Sequence, residues 1–116
     1  MKKESTPFAV LNVTTDDNRH IWAKFYWSKN SGIYGHQVIT ECNPTGDLFI
    51  TEKTNGCGFC KKSAALESFI MLATGKYISI GGDLDYYLNN TKYHTGGNEY
   101  SLPIEKLTNI ANLKQR

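Results

Sequence analysis

The hydrophobic period of this chain changes at one place. Before Thr54 the apolar residues alternate in short runs, and from Lys61 onward they recur at helical spacing. The connecting stretch is Thr54-Asn55-Gly56-Cys57-Gly58-Phe59-Cys60. Side chains repeat every two residues along a strand and every 3.6 along a helix, so one pattern cannot serve both. A chain with this switch must build a sheet first and lay a helix on it afterwards.

Four strands are expected before the switch. Phe8 to Thr14 places Ala9, Leu11 and Val13 on one face, with Phe8, Val10 and Asn12 on the other. His20 to Trp27 places Ile21, Ala23, Phe25 and Trp27 opposite Trp22, Lys24 and Tyr26. Asp16-Asp17-Asn18 between them is a turn, which predicts a hairpin. His36 to Cys42 and Asp47 to Lys53 flank Asn43-Pro44-Thr45-Gly46, a sequence suited to a tight turn. After the switch, Ala65, Leu66, Phe69, Ile70 and Ala73 predict a helix over 61–74 that stops at Gly75. Tyr77 to Ile80 reads as a short strand, and Asp83 as the cap of a short helix reaching Asn89. Thr91 to Asn98 reads as an exposed loop. Ser101 to Leu113 reads as a last helix, with Ile104, Leu107, Ile110 and Ala111 on one face and Pro103 in its first turn. The expected fold is α+β: an antiparallel sheet of about four strands, the main helix on one face, and one or two short C-terminal helices.

A length of 116 residues fits a single domain over 1–116 with its own core. The first seven residues read as a frayed polar lead-in. No apolar run is long enough to span a bilayer, and the N-terminus has no signal-like apolar region, so a cytoplasmic protein away from membranes is expected. Three cysteines, an odd number, argue against a disulfide framework. A net charge of +2 neither announces nor excludes a nucleic-acid binder.

The junction itself admits three chemistries. Cys57-Gly58-Phe59-Cys60 is a CxxC ahead of a helix, where the dipole favours a thiolate. The spacing looks like that of thioredoxins, yet four strands precede it and no suitable later proline follows. Zinc would need two ligands beyond Cys57 and Cys60, from Cys42, His20, His36 or His94, and no second paired motif supplies them. Gly56 and Gly58 leading to Lys61 and Lys62 could hold a phosphate at a helix start. The plainer reading is a structural turn with a solvated first helical turn. No cofactor is expected.

Residues 36–73 resemble the C-terminal half of double-stranded-RNA-binding domains, in which strands lead through a Gly-rich turn to a lysine-led, alanine-rich helix. That resemblance implies Lys61 and Lys62 on phosphates across the major groove. Gly56-Cys57-Gly58-Phe59-Cys60-Lys61-Lys62-Ser63-Ala64-Ala65 resembles more closely a Gly-Cys-Gly-Tyr-Asp-Lys-x-Ser-Ala-Ala motif of small phage and prophage proteins. Phe59 stands where that pattern has Tyr, and Cys60 where it has Asp. Gly81-Gly82 matches a later Gly-Gly segment. The resemblance implies a phage or mobile-element origin, Cys60 in the place of a helix-capping Asp, and a CxxC without a role of its own.

Glu41, Glu52, Asp47, Asp83 and Asp85 read as scattered acids with no paired spacing for acid–base work. Ser63 lies outside any nucleophile elbow. A non-enzymatic binding protein is therefore expected, one that masks a host protein such as a nucleic-acid-processing defence complex (anti-CRISPR-like). The alternative is a module that binds a nucleic-acid backbone through the Gly56–Lys62 turn, and a further one is a CxxC redox or zinc protein. Candidate contact residues are Lys61, Lys62, Gly56 and Gly58, then Lys24 beside Trp22 and Tyr26, whose rings could stack bases or anchor a protein. Tyr93 and His94 complete the set, in an exposed loop.

Overall fold

A computed structural model of the chain describes residues 3–29, 35–47, 53–54 and 61–113. The elements are β1 (Ala9–Thr14), β2 (His20–Trp27), β3 (Val38–Asn43), β4 (Lys53–Thr54), α1 (Lys62–Thr74), α2 (Leu84–Leu88), β5 (His94–Gly96), β6 (Glu99–Pro103) and α3 (Ile104–Leu107). A short 3-10 helix, Ile110–Leu113, follows. The fold is α+β, as the strand runs and the helical stripe require.

β1 and β2 form the expected hairpin, with Leu11 opposite Ala23 and Val13 opposite Ile21. β3 pairs antiparallel with β2, Phe25 opposite Thr40 and Ala23 opposite Cys42. Among the described residues the sheet is wider than four strands, six in the order β4-β3-β2-β1-β6-β5. It is also mixed, because β6 lies parallel to β1 with Leu11 beside Tyr100 and Val13 beside Leu102. The first three residues of the expected last helix, Ser101–Pro103, are therefore strand. Pro103, which has no N–H to give a ladder, ends β6 and precedes α3. The expected loop at 91–98 holds β5, which turns back on β6. The expected strand at Tyr77–Ile80 pairs with no described strand, and Ile80 N instead donates to Glu67 Oε2 of α1 at 2.9 Å. Most of the expected strand at 47–53 lies outside the described residues.

One sheet face carries the core. Ala9, Leu11, Val13, Ile21, Ala23, Phe25, Val38, Tyr100 and Leu102 are buried there, against Ala65, Leu66, Phe69 and Ile70 of α1. Phe69 meets Phe25 edge-on, ring centres 6.4 Å apart. α1 has no side-chain cap at its N-terminus. Burying Leu66, Phe69 and Ile70 is worth about 1.5–3 kcal/mol each, against about 1 kcal/mol for a missing cap, so packing holds this helix. It ends where expected: Gly75 takes φ 75°, and its N–H donates to the Met71 carbonyl at 2.8 Å.

The opposite face has a smaller buried patch. Tyr26 (6 % exposed) lies opposite Ile39 (2 %). Lys3 sits over the Tyr26 ring at 4.6 Å and pairs with Glu41 at 2.9 Å. The lead-in is thus tied down from Lys3 onward, since Glu4 N donates to Trp27 O and Phe8 N to Phe25 O, both at 2.8 Å.

Candidate functional site

Extending the sheet with β6 beside β1 creates a space that a plain four-strand meander lacks. A cavity of about 240 Å3, partly open to solvent, lies where β1, β6 and the N-terminal ends of α1 and α2 meet. Phe8, Ala9, Phe25, Leu66 and Leu84 give it an apolar floor, while Lys62, Asp83, Asp85, Asn89, Asn98 and Tyr100 bring polar groups to its wall.

Each polar group is held by the local fold. Lys62 opens α1, and its ammonium reaches Asp83 Oδ2 at 3.3 Å and lies 4.9 Å from the centre of the Phe8 ring. Asp83 caps α2 by accepting from Tyr86 N. Gly82 precedes it, and a Cβ there would come within 2.6 Å of the Tyr86 ring. Tyr87 O–H accepts from Gly81 N at 2.7 Å, which fixes the approach to α2. Tyr100 O–H donates to Asn89 Oδ1 at 2.9 Å, joining β6 to the end of α2. Asn98 donates to the Pro7 carbonyl at 2.8 Å and accepts from Val10 N through its own carbonyl, also at 2.8 Å.

The two acids were expected to be scattered; here they meet. A hydrogen bond to Asp83 raises the Asp85 carboxyl above its ordinary range, with partial burial and the Asp83 charge adding to it. Partial burial works to raise Asp83 as well, but the bond from Asp85 and the Lys62 charge outweigh it and hold Asp83 low. Of the two, Asp85 therefore takes up a proton first as pH falls, a division expected when two carboxyls share a site. Burial, then the Asp85 and Asp83 charges, raise Tyr100, so its hydroxyl remains a donor.

The expected contact residues fall into three places. Lys62 lines the cavity, and Lys61 next to it is exposed. His94 stacks on Tyr100 with ring centres 4.9 Å apart, and its Nε2 lies 2.8 Å from the Gly97 carbonyl, so it backs the cavity wall. Tyr93 is half-buried, with the Lys92 ammonium 5.4 Å from its ring. Trp22, Lys24 and Tyr26 lie on the other sheet face. There Lys24 covers Trp22 at 5.4 Å, and Tyr26 is buried. Gly56, Gly58, Cys57 and Cys60 lie outside the described residues. Among the described residues no cluster of three His, Cys, Asp or Glu side chains could hold a metal, and no helix is long and apolar enough to cross a membrane.

Asp83, Asp85, Asn89 and Tyr100 were not expected at a site. The Asp-x-Asp after Gly81-Gly82 was the available signal, and it reads first as helix capping. Comparison with protein-family models, with curated proteins and with solved structures found no match.

Proposed function

We propose that this chain is a binding protein rather than an enzyme, and that its cavity receives a side chain of a partner protein. One observation carries the reading: an apolar floor bounded by polar groups that are already fixed in place. Sites for drug-sized ligands run to about 300–1,000 Å3. A cavity of about 240 Å3 suits one side chain of a larger surface. Fixed groups lower the ordering cost of association, which favours recognition. Both acids also have structural work, Asp83 at the α2 cap and Lys62, Asp85 on Asp83, which supports holding over proton transfer during turnover.

The nucleic-acid alternative is weakened by the same geometry. Lys62 shares its cavity with two carboxyl groups, and a phosphate placed there would meet their charge. The resemblance of residues 56–65 to phage proteins supports a host protein as the partner, with a nucleic-acid-processing defence complex the first class to assay. The test is affinity capture from bacterial lysate with and without nuclease. A protein retained after nuclease treatment is the expected result. Recovery of nucleic acid alone would overturn the proposal and favour the phosphate-binding alternative.

A further inference from the structure

We infer that the cavity is built for a basic side chain, the ammonium or guanidinium end of a partner's lysine or arginine. This rests on the proposed binding role and narrows it to one chemistry. The cavity holds two carboxyl groups against one ammonium. With both acids ionised it carries surplus negative charge, Asp83 half-buried and Asp85 at the exposed rim. As pH falls, a proton on Asp85, the raised acid of the pair, relieves this. An incoming cation can take over that role. The cation is gained, the Asp85 proton leaves to solvent, and the total charge in the cavity stays the same.

The walls fit the rest of such a side chain. Phe8, Phe25 and Leu84 line the cavity and offer apolar surface to an aliphatic stem. The Phe8 ring already carries one ammonium, that of Lys62 at 4.9 Å, so the aromatic wall tolerates a cation at close range. An acidic or phosphorylated ligand would face the Asp83 charge. A wholly apolar ligand would cover the acid pair and give nothing in return. The groups that face Asp85 across the cavity are Lys62 from α1, Asp83 from the α2 cap and Tyr100 from β6. Of these, Asp83 is held low and Tyr100 high, so Asp85 is the acid that changes state when the cation arrives.

The test uses capped amino acids and the whole chain. Nα-acetyl-lysine methylamide, Nα-acetyl-arginine methylamide and the neutral Nα-acetyl-norleucine methylamide are titrated while the amide resonances of Asp85, Asn89 and Asn98 are followed. The basic probes should shift these resonances and bind at least tenfold more tightly than norleucine. Calorimetry in buffers of different ionisation enthalpy should detect proton release at weakly acidic pH. Asp85→Asn, which keeps a hydrogen-bond donor but cannot ionise, should abolish the release and cut the affinity for the basic probes about tenfold. Norleucine binding as tightly as lysine, or binding without proton release, would overturn the inference, as would failure of every probe to move the cavity resonances. The two claims separate in partner capture. Loss of the partner with a cavity-filling Ala9→Leu but not with Asp85→Asn would leave the binding role standing and refute the basic side chain. Retention by both variants would refute the binding role itself.

Discussion

Lys61 and Lys62 are neighbours in the chain and have little else in common. Lys61 is exposed, whereas Lys62 is half-buried, paired with Asp83 and set over Phe8. Lys62→Ala should therefore lower stability by about 0.5–1 kcal/mol, while Lys61→Ala stays within about 0.5 kcal/mol of wild type, as read by chemical denaturation. A phosphate-binding lysine pair would show the two alike. The acids carry a prediction in pH. Asp83 is held low in the folded chain, so its contribution is present above the unfolded pKa and fades as pH falls through the folded one. Asp85 is raised, so its contribution is present at low pH and is lost as pH rises through the folded pKa. Asp85→Asn removes that loss and leaves a donor facing Asp83. The Tm of this variant minus that of wild type should thus grow between about pH 4 and pH 7. A difference that stays constant with pH would contradict the shared proton. Nothing in the Gly81-Gly82-Asp83-Leu84-Asp85 sequence separates a cap from an acid pair. That distinction is made by Lys62, which arrives from another element.

Among the elements, those whose sequence patterns are local were legible. β1 and β2 announce themselves by alternation, and α1 by its stripe and Gly75. β6 was hidden because Ile104, Leu107, Ile110 and Ala111 keep a helical spacing that runs on into Ser101–Pro103. The alternation of Tyr100 and Leu102 is only two residues strong, too short to compete. Its partner is also remote, since β6 pairs with β1 from the far end of the chain, and no local turn signals a parallel contact. β6 nonetheless bears on both stability and the site. Leu102 is buried beside Val13, and Leu102→Ala should cost about 2–5 kcal/mol by thermal or denaturant unfolding. At the end of α1, Gly75 has positive φ, and Gly75→Ala should cost about 1 kcal/mol. Gly82→Ala should loosen α2 instead, because the new Cβ would have to displace Tyr86.

For the whole molecule, one strand decides how much of the site could be anticipated. Without β6 next to β1 the chain is a hairpin-based sheet under a helix, and the first turn of α1 faces solvent. With β6 in place, Tyr100, Asn98 and α2 close around that turn, and the half-buried Lys62 faces Asp83. Of the expected contact residues that are described, Lys62 alone lines the cavity. The rest of the lining is assembled by long-range packing, which composition and spacing do not encode. We propose this cavity as the binding surface. Ala9 lies in its floor and is buried. Ala9→Leu adds methyl and methylene groups into the space, and a Tm close to that of wild type would show that the fold accepts them. The decisive measurement is parallel capture from nuclease-treated bacterial lysate on immobilised wild type and folded Ala9→Leu. The proposed binding role predicts a protein held by the wild type and missing from the variant. The same protein held equally by both would contradict it.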